Sequence, residues 1–142
     1  MHELTDAEQS HFQTFGYVIL RQRLGTSEVA TIRENIMRTI LMIKPGVPLD
    51  SEAGGSCLAI PGDPLADLIE DQRFLVPAQQ LMRGEQPIGV NCQCTRYVGG
   101  TEWHSDHAGQ EVGREVLQLV KFIFYCEPVG ADTGALRVIP GR

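Results

Sequence analysis

The spacing of apolar residues changes once along the chain. In the first half, apolar residues recur every three or four positions, which places them on one face of an α-helix. The clearest such set is Val29, Ile32, Ile36, Ile40 and Ile43. From Pro87 onward the spacing becomes two, as in strands that bury one face. Helices followed by strands predict an α+β fold, mainly β, in which the helices support one side of an antiparallel sheet.

Local residues predict where the helices begin and end. Thr5 and Glu8 have the spacing of a capping box, which predicts a helix that runs to about Thr14 and ends at Gly16. Lys44-Pro45-Gly46 should end the second helix. The other predicted helical segments are Thr26 or Ser27 to Ile43, and Pro64 to Ile69 continued by Arg73 to Met82.

Segments rich in β-branched and aromatic residues are predicted to be strands. Val47 to Asp63 is rich in Gly and Pro and is predicted to be a long loop. A lid or substrate-binding role and a plain surface excursion are equal alternatives for it. The chain is predicted to be a single domain over 1–142, with helical support over about 1–85 and sheet strands over about 86–142. The predicted strands are Tyr17–Leu20, Ile88–Val98, Leu117–Tyr125 and Ala135–Ile139.

Composition narrows the choice of function. The chain has 142 residues, a net charge of −6 and a pI of about 5.1, so it lacks the basic surface that binds nucleic acids or anionic membranes. No apolar run approaches the roughly 20 residues of a membrane span. Met1–Gln9 is too polar and acidic for a signal peptide, so the predicted location is the cytoplasm. Cys92 and Cys94 lack the usual spacing of zinc ligands, and all the cysteines are interpreted as buried, reduced thiols.

One short stretch, Trp103 to His107, carries candidate metal chemistry. His104 and Asp106 are one residue apart, so on an extended chain both side chains point to one face and can reach the same ion. An imidazole and a carboxylate suit Fe(II), Mn(II) or Zn(II). The plainer alternative is a surface histidine beside an aspartate.

Several blocks of the chain, in order, resemble the phytanoyl-CoA dioxygenase family of Fe(II)/2-oxoglutarate oxygenases. They extend over nearly the whole sequence and are specific only when taken together. The blocks are Leu4-Thr5-Asp6-Ala7-Glu8-Gln9, Phe15-Gly16-Tyr17-Val18-Ile19-Leu20, Gly100-Thr101-Glu102-Trp103-His104-Ser105-Asp106, Phe124-Tyr125-Cys126-Glu127-Pro128-Val129 and Asp132-Thr133-Gly134-Ala135-Leu136-Arg137-Val138-Ile139-Pro140-Gly141.

The resemblance implies a double-stranded β-helix, or jelly roll, with supporting N-terminal helices. It also implies Fe(II) held by His104 and Asp106, and hydroxylation of a small organic substrate coupled to oxidation of 2-oxoglutarate by O2. The family's third ligand, a distal histidine, and its 2-oxoglutarate-binding arginine lie beyond the Pro-Gly segment at which this chain stops. We therefore expect a jelly roll that is incomplete at its C-terminus, in a fragment or truncated form of such an enzyme. His2, His11 and His107 are poorly placed to supply the missing ligand.

Other residues are candidates for binding the cosubstrate or the substrate. Lys121 lies in an apolar run, where a buried ammonium group needs an anionic partner such as 2-oxoglutarate; a lysine that reaches outward to solvent is the alternative. Trp103 is either packing or a wall of the substrate channel, and Arg137 either binds substrate or forms a surface ion pair. Asn91, Gln93 and Tyr97 share one face of a predicted strand, which either binds the cosubstrate or is a polar outer face opposite Cys92 and Cys94.

The sequence leaves three functions open. The first is a dioxygenase of this family, and the second is a non-catalytic jelly-roll binding or scaffold protein that has lost the complete iron site. The third and weakest is a cupin-like metal enzyme of another reaction class, such as an isomerase. The expected partner is a small-molecule substrate rather than a nucleic acid or a membrane. A homo-oligomer that covers exposed strand edges is a further expectation.

Overall fold

In the residues that the structure describes, the chain forms helices and two short antiparallel strand pairs. A computed structural model describes residues 2–48, 50–57, 64–84, 92–104, 106, 111–112, 115–116 and 119–141. The elements in these residues are α1 (Asp6–Phe15), α2 (Thr26–Ile43), β1 (Ala53–Cys57), α3 (Pro64–Glu70), α4 (Gln72–Leu81), β2 (Cys92–Arg96), β3 (Glu111–Val112) and β4 (Glu115–Val116).

Helix α1 begins and ends where its sequence predicts. The Thr5 hydroxyl accepts from the Glu8 amide at 3.2 Å, and the Glu8 carboxylate accepts from the Thr5 amide at 2.8 Å. Gly16 ends the helix with φ of +79°, a left-handed conformation that glycine adopts without strain. The predicted capping box and C-terminal glycine are therefore confirmed.

Helix α2 supplies one side of the hydrophobic core. Ile32 and Ile40 are buried and cluster with Ala53 of β1 and Cys94 of β2. Asn35 is also buried in this helix, and its side-chain amide donates to the Thr31 carbonyl oxygen at 2.8 Å. The apolar spacing of three and four residues therefore predicted this helix correctly and its buried face in part, because Ile43 of the predicted face is 46% exposed.

The third helical segment divides into two helices at Asp71. The Asp71 carboxylate accepts from the Arg73 amide at 2.8 Å and caps the N-terminus of α4, since a free amide at that position needs an acceptor. Phe74, Pro77 and Ala78 are the buried residues of α4. The predicted helical segment is thus present, with a break that the apolar spacing alone did not predict.

The strands β1 and β2 form an antiparallel pair against α2. Gly54 lies opposite Thr95, and a Cβ atom at Gly54 would come within 2.7 Å of the Cys94 carbonyl oxygen. The backbones approach this closely because Gly54 has no side chain. The prediction of a loop throughout Val47 to Asp63 is therefore wrong at β1.

The predicted jelly roll, incomplete or not, is wrong, and so is the mainly β class. The described residues are mostly helical and contain only the pairs β1–β2 and β3–β4. Residues 17–20, 119–125 and 135–139 form neither helix nor strand. Their β-branched and aromatic side chains favour extended backbone, but a strand also needs a neighbour to share its hydrogen bonds. Strand β2 confirms part of the predicted strand at 88–98, while 88–91 and 117–118 lie outside the described residues.

The C-terminal region, residues 97–141, contacts the helices at a few points. The ring of buried Phe74 lies 5.6 Å from the Phe122 ring and 5.0 Å from the Phe124 ring, both edge-on. Arg33 of α2 forms an ion pair with Glu127 at 2.9 Å. These contacts place residues 119–127 beside α2 and α4. None of the helices in the described part of the chain is long and apolar enough to cross a membrane.

Candidate metal site

The two predicted metal ligands lie in an irregular segment that follows β2. Gly99 turns the chain with φ of +98°, a value that most other residues avoid. The side chains of His104 and Asp106 beyond this turn are 61% and 43% exposed. They are therefore accessible from solvent, as an entry path for a metal requires.

His104 and Asp106 point toward each other. The Nε2 atom of His104 lies 3.5 Å from Oδ1 of Asp106, and Nδ1 of His104 lies 2.8 Å from the Glu102 carbonyl oxygen. A carbonyl oxygen can only accept, so Nδ1 carries the proton, and in the neutral ring Nε2 keeps a lone pair facing the carboxylate. Metal-binding histidines are commonly oriented in this way by a backbone carbonyl.

The spacing of these two atoms suits a single metal ion. With bonds of about 2.1 Å, adjacent ligand atoms are about 3.0 Å apart in an octahedral site and about 3.4 Å apart in a tetrahedral one. The observed 3.5 Å is close to this range. The pair could therefore hold a metal after a small adjustment of either side chain.

Lys121 contacts the same carboxylate from its other side. Its Nζ atom donates to Oδ2 of Asp106 at 3.1 Å, and its side chain is 50% exposed. The lysine is thus neither deeply buried nor simply extended into solvent. Its anionic partner in this structure is a predicted metal ligand, so the two oxygens of Asp106 face different partners: Oδ1 faces His104 and Oδ2 faces Lys121.

The two predicted substrate residues contact one another beside this pair. The guanidinium carbon of Arg137 lies 5.3 Å from the centre of the Trp103 ring, in cation–π contact. The Leu136 amide donates to the Tyr125 hydroxyl at 2.8 Å, which joins residues 119–125 to residues 135–139. Lys121 and Arg137 therefore reach the same short segment, Trp103 to Asp106.

The remaining cosubstrate candidates are Asn91, Gln93 and Tyr97. Gln93 and Tyr97 are exposed, whereas Cys94 between them is buried. This favours the interpretation of Gln93 and Tyr97 as part of a polar outer face, with the core on the Cys94 side. Asn91 lies outside the described residues.

A complete metal centre is absent from the described part of the chain. No group of at least three His, Cys, Asp or Glu side chains among those residues could hold an ion. His11 lies in α1, where its ring contacts Phe15 at 4.7 Å and Tyr17 at 5.2 Å, and His107 is outside the described residues. The prediction of a metal-binding jelly roll is therefore corrected to two candidate ligands on a mostly helical chain.

A charged cluster lies in residues 2–96, the helical half of the chain. It was not predicted from sequence. Arg73 donates to Asp71 at 2.6 Å, to Glu28 at 2.7 Å and to the Arg23 carbonyl oxygen at 3.0 Å. The hydrogen bonds from Arg73 are the main reason that the pKa values of Glu28 and Asp71 are both below their usual range. These residues line a cleft of about 280 Å³ between α2 and the α3–α4 segment. Because Arg73 is paired with both carboxylates, the cluster joins helices and leaves no group poised for chemistry.

Comparisons with known proteins found no similar protein. No protein-family model, no curated protein and no solved structure matches the chain. A function can therefore be inferred only from the residues of this chain and their geometry.

Proposed function

We propose that this chain contributes part of an Fe(II)/2-oxoglutarate-dependent dioxygenase that hydroxylates a small organic substrate. The observation that supports this most is the orientation of His104. Its Nδ1 proton is engaged by the Glu102 carbonyl, and its Nε2 atom lies 3.5 Å from Oδ1 of Asp106. The resemblance to phytanoyl-CoA dioxygenases assigns a metal to the same two residues.

In this proposal, the described residues hold the metal and form one wall for the substrate. His104 Nε2 and Asp106 Oδ1 would hold the metal, while the Glu102 carbonyl keeps the imidazole in the required tautomer. Trp103 and Arg137 would form one wall for the substrate. Iron, when bound, supplies the oxidation chemistry, in which a substrate C–H bond, O2 and 2-oxoglutarate yield an alcohol, succinate and CO2. The third ligand would come from outside the described residues.

A small-molecule substrate and a cytoplasmic location belong to the same proposal. The net charge of −6 disfavours nucleic acid as a partner. Cys126 is an unbridged thiol, which is typical of a reducing compartment. A second copy of the chain could cover the exposed apolar side chains of residues 119–139.

A non-catalytic binding or scaffold role is the second candidate. Two observations favour it: the described residues lack a third ligand, and Lys121 already neutralises Asp106. In that case the pair is a surface contact, and divalent metals would bind no better to it than to other exposed carboxylates.

Anaerobic titration with Fe(II) distinguishes the two candidates. We expect the wild-type chain with 2-oxoglutarate to develop a visible charge-transfer absorption band, and His104→Ala and Asp106→Asn to weaken Fe(II) binding by at least roughly tenfold. Asp132→Asn, at an exposed aspartate of the same region, is the matched control and should bind as the wild type does. Equal binding by Asp106→Asn and the wild type would exclude the dioxygenase.

A further inference from the structure

Two cysteines lie at directly opposite positions where the strand pair β1–β2 ends. Cys57 is the last residue of β1, Cys92 is the first residue of β2, and the two are register partners. Directly opposite residues of an antiparallel pair have Cα atoms about 4.5 or 5.5 Å apart, depending on whether they share backbone hydrogen bonds. Residues joined by a disulfide usually have Cα atoms about 4.4–6.8 Å apart. Either kind of register position therefore suits a disulfide.

The register favours this pairing over one with another cysteine. Cys94 lies opposite Gly55, so it is a diagonal neighbour of Cys57, and such neighbours are roughly 7–8 Å apart. A disulfide cannot join Cα atoms at that separation unless the backbone moves. Cys94 is also buried in the core at 3% exposure, and Cys126 lies outside both strands. Cys57 and Cys92 are therefore the two cysteines that the sheet itself brings together.

A bond at these two positions would close the chain at a defined place. The segment 58–91, which contains α3 and α4, leaves the sheet after Cys57 and returns to it at Cys92. A sheet of only two strands is marginally stable. A covalent link where the pairing stops would restrict the unfolded chain and hold the two strand ends together. Oxidation would therefore stabilise this part of the fold.

We propose that Cys57 and Cys92 form a redox-sensitive pair, which is reduced in a reducing compartment and becomes a disulfide when a low-molecular-weight disulfide such as oxidised glutathione accumulates. One cysteine thiolate attacks a sulfur of the oxidant and releases the first glutathione thiol. The second cysteine attacks the resulting mixed disulfide and releases the second. The chain loses two electrons and two protons, which convert one glutathione disulfide into two thiols. This pair is independent of the proposed metal site.

Oxidised glutathione added to the reduced full chain tests the pair. We expect a product that is lighter than the reduced chain by two hydrogen atoms and that dithiothreitol converts back. In a non-reducing digest, the peptide that contains Cys57 should be linked to the peptide that contains Cys92 and Cys94. Fragmentation of the linked peptide at Gln93 shows which of the two cysteines is bonded, and we expect Cys92.

Single substitutions separate the two steps of the reaction. Cys57→Ser and Cys92→Ser should each stop at the mixed disulfide with glutathione, because the attacking or resolving thiol is missing. Cys126→Ala is the matched control, since it removes a cysteine outside the strand pair, and it should form the bridge as the wild type does. Circular dichroism should show unchanged helix in each variant.

The same reaction in urea measures what folding contributes. At equal glutathione concentration, the ratio of bridge to mixed disulfide should be at least roughly tenfold higher in the folded chain, because the register holds positions 57 and 92 opposite one another. The bridge should correspondingly raise the midpoint of thermal unfolding by roughly 5–15 °C. The proposal is overturned if the folded chain forms no bridge, if the bridge contains Cys94 or Cys126, or if the ratio or the midpoint is unchanged.

Discussion

Residues 2–96 and residues 97–141 are stabilised in different ways. All side chains that are buried in the described part of the chain lie between Leu4 and Cys94. The C-terminal region has its apolar side chains partly or largely exposed. It contacts the rest of the chain through a few rings, one ion pair, the packing of Cys126 against the core and a hydrogen bond from the Gly141 amide to the Phe15 carbonyl oxygen. The candidate site lies in this second region. The contrast shows that the region with the core and the region with the candidate chemistry are distinct.

The difference follows from what each region can bury. In the helical half, α2 places an apolar face against β1 and β2, and the helix ends are capped. Residues 119–139 have comparably apolar side chains, but most of the large ones stay exposed, although Phe122 and Phe124 contact Phe74 of α4 and Cys126 packs against the core. The exposed large side chains include Trp103, Leu119, Ile123, Leu136, Val138 and Ile139.

The same substitution in both regions gives the strongest test of this contrast. Ile40 is 1% exposed and Ile139 is 75% exposed. Ile40→Ala should lower the free energy of unfolding by about 2–5 kcal/mol because it leaves a cavity in the core. Ile139→Ala should change it by less than about 0.5 kcal/mol. Urea unfolding measures both, and a similar loss in the two variants would show that the C-terminal region has a buried core of its own.

The charged cluster around Arg73 should produce a smaller, pH-dependent effect in the helical half. Folding holds the pKa values of Glu28 and Asp71 below their unfolded values of about 4. The resulting stability is therefore present above that pH and is lost as the pH falls through the lower folded values. Arg73→Met should flatten the dependence of the unfolding midpoint on pH between about 5 and 2.

Arg38→Met is the matched control for this experiment, because Arg38 is an exposed arginine on α2. It should keep the acid dependence of the wild type. If Arg73→Met also keeps it, the contact of Arg73 with Glu28 and Asp71 does not stabilise the helices.

The smallest expected effect concerns the ion pair that joins the two regions. Arg33 and Glu127 pair at 2.9 Å, but both side chains are more than half exposed. A double-mutant cycle with Arg33→Met and Glu127→Gln should give a coupling of about 0.2–1 kcal/mol that falls with added salt. A much larger coupling would mean that the C-terminal region is held to α2 more firmly than its exposure indicates.

The helices were predictable because the signals that fix them are local. Thr5, Glu8 and Gly16 determine the ends of α1 within its own sequence, and the spacing of Ile32 and Ile40 determines the buried face of α2. The break at Asp71 also has a local signal, a capping aspartate, which the apolar spacing does not register.

The sheet was not predictable in the same way, because strands depend on distant partners. Ala53–Cys57 is rich in small residues and resembles a loop, yet it is a strand because Gly54 allows close approach to Cys94. Tyr17–Leu20 has strong β-forming residues and remains irregular. For the site, spacing predicted that His104 and Asp106 could converge, but not that Lys121 would take the second oxygen of Asp106.

The ring of Phe74 gives the helical half an influence over the candidate site. Phe74 is buried in α4 and contacts Phe122, the residue that follows Lys121. Because Phe122 directly follows Lys121, the packing of α4 helps to hold the backbone of Lys121 beside Asp106. A substitution that repacks the core around Phe74 would shift the backbone at Lys121 without altering any residue of the site. Stability and the geometry of the pair between Lys121 and Asp106 would then vary together, so a stabilised variant of this chain could not be assumed to keep that pair.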